Sequence, residues 1–154
     1  MKKAFTLFEL IFVIVVIGIL ATIAIPKFSA TRDDAIITKA KSTVASIRSA
    51  LSSEVQKRIL KGDYTPISNL GGSSGYNQDL FDYFDGDSNG NRVLEYPIKS
   101  CKDSTATGCW IKSGASEYKF IMPPAIGGEA VFEVKNNRFE CKDPTSTPCK
   151  LLNR

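Results

Sequence analysis

An almost unbroken apolar run, Phe5 to Ile25, constrains this chain more than any other feature; only Thr6, Glu9, Gly18 and Thr22 interrupt it. A helix that is apolar on every side has to be covered by lipid or by other chains, because a small domain has too little core to surround it. As an α-helix, about 21 residues at roughly 1.5 Å each reach about 30 Å, the thickness of a bilayer's hydrocarbon core. Lys2 and Lys3 lie ahead of the run and favour a cytoplasmic N-terminus. The segment is therefore expected to insert in a membrane once.

Three readings of such a start compete. A secretory signal peptide has a shorter apolar core and ends at a small-x-small cleavage site. Here Ala24 offers a small residue, but Thr22 and Ile23 before it fit poorly. A plain signal anchor fits the length and leaves Glu9 unexplained, since a carboxylate in a spanning helix costs on the order of 2–3 kcal/mol without a partner. Interfacial placement or protonation would excuse it, and so would a positive group that meets it.

The residues Lys2-Lys3-Ala4-Phe5-Thr6-Leu7-Phe8-Glu9-Leu10 resemble the prepilin leader and mature helix start of type IV pilins and type II secretion pseudopilins. The match is dense from Lys3 to about Phe28, and Gly18 and Pro26 fall where that family carries a helix glycine and a helix proline. The resemblance implies cleavage between Ala4 and Phe5 by a prepilin peptidase and N-methylation of Phe5. It also makes Glu9 the family's assembly glutamate. One residue departs from the pattern: the family usually has Gly before the cut, and Ala4 stands there. The implied partners are further copies, other pilins or pseudopilins, the peptidase, an inner-membrane assembly platform, and lipid before assembly. In chemical terms, cleavage creates an α-ammonium that can pair with Glu9 of a neighbouring subunit, so that two charges costly in lipid offset one another and set register.

Beyond Pro26 the pattern becomes amphipathic. Ile37, Ala40, Val44, Ile47, Leu51, Val55 and Ile59 recur at three- and four-residue steps, with Lys39, Lys41, Arg48, Lys57, Arg58 and Lys61 mostly elsewhere. Gly62-Asp63 is a stop signal. One helix from about Phe5 to Lys61 is expected, kinked or loosened near Pro26. The divisions are a leader (1–4), a membrane and polymerisation helix (5–27), an amphipathic half (28–62) and an exported domain (63–154).

In that domain, strands are expected at Val93–Lys99, Cys109–Lys112, Glu117–Met122, Glu129–Lys135 and Arg138–Lys142, with Asn136-Asn137 as a two-residue hairpin turn. The fold class is α+β, a long helix on an antiparallel sheet of three or four strands. Cys101, Cys109, Cys141 and Cys149 are an even set beyond the membrane segment, which argues for two disulfides. The near-repeat Cys-Lys-Asp-x-Thr-x-Thr-x-Cys favours local loops 101–109 and 141–149, with the other connectivities open and a zinc site disfavoured by the wide spacing.

The segment Asp85-Gly86-Asp87-Ser88-Asn89-Gly90-Asn91 places oxygens at alternate positions with Gly at the sixth, the first half of a calcium loop. Tyr96 stands where the bidentate glutamate belongs, and Glu95 or Asp82 is left to complete the shell. Calcium at Asp85, Asp87, Asn89, Asn91 and Glu95 and a plain solvated turn both remain open readings.

The sequence gives little support to an enzyme. Histidine is absent, and Gly71-Gly72-Ser73-Ser74-Gly75 matches a nucleophile elbow only formally. Twenty Lys+Arg against sixteen Asp+Glu, scattered, do not point to nucleic acid. The leading expectation is a filament subunit of a type II secretion pseudopilus or type IV pilus. It would be a single-pass inner-membrane protein with its domain in the periplasm or on an extracellular filament. The alternative is a monomeric anchored domain that binds calcium or another ligand.

Overall fold

The computed structural model describes residues 6–153, and the side chains of all of these but 23–31. Two compact units emerge, Met1–Ala35 and Ile36–Arg154, and each is taken by itself. Helix α1 is continuous over Leu7–Leu60.

From Leu7 to Leu20 the helix is apolar all round but for Glu9, and Leu7, Phe8, Leu10, Phe12, Ile14, Ile17, Ile19 and Leu20 are all exposed. Thr6 caps its start: Thr6 Oγ1 accepts the Glu9 N–H at 3.3 Å and donates to the Glu9 carboxylate at 3.4 Å. Thr22, a polar residue in an apolar stretch, turns its hydroxyl back on the carbonyl of Ile19 at 2.6 Å. Among the described residues, no helix is long and apolar enough to cross a membrane. Phe5 and the side chains of residues 23–25 lie outside the description, so the described run stops short of the roughly 20 residues a span needs. The expected transmembrane helix is thus not shown. The backbone at Pro26, where a kink is expected, is helical, and its side chain lies outside the description.

The second unit packs the later turns of α1 against a sheet. Ile37, Ala40, Val44, Ile47 and Leu51 are buried at alternating three- and four-residue steps. The stripe then departs from expectation. Val55 is half-buried and Ile59 is exposed, while the next steps fall on Glu54, which is 6% exposed, and on half-buried Arg58. Four strands form an antiparallel meander: β3 (Cys109–Lys112), β4 (Glu117–Ile121), β5 (Glu129–Lys135) and β6 (Arg138–Cys141). A two-stranded sheet pairs β1 (Asp79–Leu80) with β2 (Ile98–Lys99). The α+β class and the expected meander strands are found, to within a residue at their ends.

Register puts Trp110 opposite Phe120 and Phe120 opposite Ala130; in a parallel row, Tyr118 faces Phe132 and Phe132 faces Cys141. These inward positions are all buried and form one aromatic core with Phe81 and Phe139, in which Phe132 and Phe139 stack at 4.9 Å. Asn136 and Asn137 turn between β5 and β6 with φ of 51° and 59°, the left-handed pair a type I′ hairpin requires. Gly62 closes α1 at φ 77°: its N–H reaches the carbonyl of Ile59 at 2.9 Å, and Asp63 reaches Arg58 at 2.9 Å.

The expected strand Val93–Lys99 shrinks to β2. Val93 and Leu94 bond back to the carbonyls of Asp82 and Phe81, and Pro97 has no N–H to extend a ladder. A short helix, α2 (Thr147–Asn153), follows the second cysteine loop, with Ser146 Oγ accepting the Cys149 N–H at 3.4 Å.

Both disulfides form as the near-repeat suggests, Cys101–Cys109 and Cys141–Cys149. The two loops share one turn. Asp103 Oδ1 accepts both the N–H and the hydroxyl of Thr105, and Asp143 Oδ1 does the same for Thr145. They diverge at their eighth position. Gly108 takes φ 70° against Ile36 and leads into β3, whereas Pro148 presets a helical φ and leads into α2.

Candidate functional site

Two sets of residues carry the functional expectations, and the structure treats them differently. Of the N-terminal set, Ala4 and Phe5 lie outside the described residues, as does the side chain of Pro26. Glu9 lies in the first turn of α1 and is exposed. Its one hydrogen-bond donor described, the Thr6 hydroxyl, stands at 3.4 Å, long for an O–H···O bond. A carboxylate offers about four acceptor positions, so most of its capacity is left for a stronger partner. The Thr-x-x-Glu pattern was there to be read in the sequence as a helix start.

The second set is the loop after the 3₁₀ turn Phe84–Gly86. Asp85, Asp87 and Asn91 line an open cleft of about 270 Å³ together with Glu54, Arg58, Lys61 and Asp63. Asn89 and Glu95 are not among its walls. The Asn89 N–H instead donates to Asp87 Oδ1 at 2.9 Å, and the Glu95 carbonyl accepts from Arg92 at 3.1 Å.

The carboxylates of this cleft are already in use. Asp85 Oδ1 accepts the N–H and hydroxyl of Ser68 at 2.6 and 2.8 Å, and Asp85 Oδ2 accepts from Arg58 Nη2 at 2.8 Å. Glu54 Oε1 accepts from Arg58 Nε at 3.2 Å, and Glu54 Oε2 from Asn91 Nδ2 at 2.8 Å. Burial alone would push the Asp85 carboxyl up, but the bonds from Ser68, Arg58 and Asn69 outweigh it and hold the carboxyl below the usual carboxylate range. Burial would lower Arg58 in turn, and its bonds to Asp85 and Glu54 raise it instead.

Calcium takes six to eight oxygens at close range and tolerates no cation among them. Here a guanidinium sits between the two best acids. Among the described residues, no group of three or more His, Cys, Asp or Glu is placed to hold a metal. Of the residues singled out for calcium, Asp85, Asp87 and Asn91 line the cleft, Asn89 and Glu95 do not, and Asp85 is held by Arg58.

The sequence reading missed Glu54 and Arg58, although the three-four alternation of the buried stripe continues onto both. It also missed Lys112 and Tyr118, which brace the 70–72 loop, and no local pattern points to either. No protein-family model matches the chain, and no curated protein or solved structure is significantly similar to it.

Proposed function

We propose that this chain is a structural subunit that polymerises through its N-terminal helix, of the type IV pilin or type II secretion pseudopilin kind, after cleavage between Ala4 and Phe5. The observation that carries the proposal is the described start of α1, whose apolar side chains are exposed all round the helix, with a single under-used carboxylate, Glu9, in its first turn. Identical helices packing head to tail would cover those faces and, when the rotation does not close, extend without limit. The same run inserts in lipid before assembly. The cut would release the Phe5 α-ammonium, a charge-assisted donor roughly twice as strong as a neutral hydroxyl. Glu9 of a neighbour is then the group that meets it.

The second unit is consistent with this reading. Its most buried acid, Glu54, is held by Arg58 and Asn91, and its two disulfides suit an oxidising compartment. The deciding experiment is mass spectrometry of the mature N-terminus in the membrane fraction. A chain beginning at methylated Phe5 supports assembly. A chain that keeps Met1 to Ala4 leaves a monomeric anchored domain, and one that starts beyond Ala24 leaves an ordinary secreted protein.

A further inference from the structure

We propose that Arg58 is the resident cation of the 85–91 loop, holding by its guanidinium the place between Glu54 and Asp85 that a divalent ion would otherwise take. The inference starts from the helix. The buried stripe of α1 runs Ile37, Ala40, Val44, Ile47, Leu51, and the same alternation next delivers Glu54, at 6% exposure, and then Arg58. An acid buried to that degree needs a counter-charge and donors on both oxygens. The planar guanidinium suits the task, because its N–H groups diverge in fixed directions and serve two acids at once.

All four oxygens of the pair are thereby occupied by donors that belong to the chain. Glu54 Oε1 and Asp85 Oδ2 take Arg58, Glu54 Oε2 takes Asn91, and Asp85 Oδ1 takes Ser68. The donors come from the 68–69 segment, the 91 end of the loop and the helix, so the clamp ties three separate stretches at one point. An arriving calcium ion would have to strip these donors and sit beside a fixed positive charge, with Lys61 also on the cleft wall. The loop's alternate oxygens therefore serve an internal cation, and its order does not depend on calcium outside the cell. This conclusion is independent of the assembly reading.

The test is thermal melting of the full chain in detergent micelles, in millimolar calcium and in EDTA, with hydrogen exchange of the Asp85–Asn91 amides alongside. For the natural chain the melting temperature and loop protection are expected to be the same in both. Arg58→Gln should melt lower in EDTA, by on the order of 10 °C, because two part-buried carboxylates lose their counter-ion. Calcium should restore part of that loss. Arg58→Lys keeps the charge without the fork, so it should stay folded, melt between the other two and remain indifferent to calcium. Stabilisation of the natural chain by calcium would overturn the proposal. So would a calcium response in Arg58→Lys equal to that in Arg58→Gln, or loop amides in the Lys variant as protected as in the natural chain.

Discussion

The Tyr118 side chain has no exposed surface, and its hydroxyl accepts the Leu70 N–H at 3.0 Å while donating to the Gly71 carbonyl at 2.8 Å. Lys112 also reaches the Gly71 and Gly72 carbonyls, so Tyr118→Phe orphans chiefly the Leu70 N–H. The expected cost is about 1–3 kcal/mol, read from the urea midpoint, and an unchanged midpoint would contradict the bracing role. Burial pushes this phenol up, against the Leu70 bond, which lowers it, and with the Asp82 charge, which raises it further. The sign follows from linkage. The unfolded chain ionises first, near pH 10, so stability from Tyr118 is full below that value and falls as pH rises beyond it. The gap between the natural chain and Tyr118→Phe should therefore narrow above pH 10. Asp85 works in the opposite sense, since its carboxyl is held low in the fold. Its contribution is full above the unfolded value of about 3.9 and is lost as pH falls through the lower folded one. Around it stand Arg58 and Glu54 from α1, Lys61, Asp63 and Asp87. Below pH 4 the natural chain should lose stability more steeply than Asp85→Asn, and parallel acid limbs would show that the pairing is inert.

Among the elements, legibility followed how local the determinants are. The strands β4 and β5 were readable from alternation, and the β5–β6 turn from Asn136-Asn137, because neighbours along the chain decide both. Val93–Lys99 misled, because its backbone partners lie in the 81–82 segment, which the sequence pattern does not connect to it. The late turns of α1 misled for a related reason. The apolar residues Val55 and Ile59 suggest that the stripe drifts, yet packing continues straight onto Glu54 and Arg58, two charges held by each other and by Asn91 and Asp85. The calcium expectation meets the same difficulty, because a cation that the loop's own sequence does not reveal, Arg58, reaches Asp85 from a helix 27 residues upstream. The disulfides were legible because the repeat is local. Replacing either cysteine pair by serine should cost about 2–3 kcal/mol in the melting of the oxidised chain, for a loop this short. A thiol assay on the denatured, unreduced protein should find no free thiol, and any titratable thiol there would break the assignment.

For the molecule as a whole, the unit boundary after Ala35 falls just before the first buried side chain of the stripe, Ile37. Beyond that point α1 has a core of its own to pack against, and before it every described side chain of the apolar run through Leu20 is exposed. On the proposed reading the helix is covered by lipid before assembly and by copies of the chain after it, and Glu9 is the residue that would distinguish the two states. In lipid the carboxylate is a cost, eased by its own Thr6 and by closeness to the helix start. In the proposed polymer it is the group that would fix where the next subunit stops. Glu9→Ala should therefore enter the membrane fraction as well as the natural chain, or slightly better, and yet give few sheared filaments and little subunit-to-subunit cross-linking. Glu9→Gln keeps the shape and the Thr6 contact but removes the charge, so it should fail in the same way if charge pairing sets register. Thr6→Ala should weaken assembly far less, since it leaves the carboxylate free to meet a neighbour. Full assembly of the Gln variant would show that packing of the apolar faces suffices and that Glu9 serves only its own helix end.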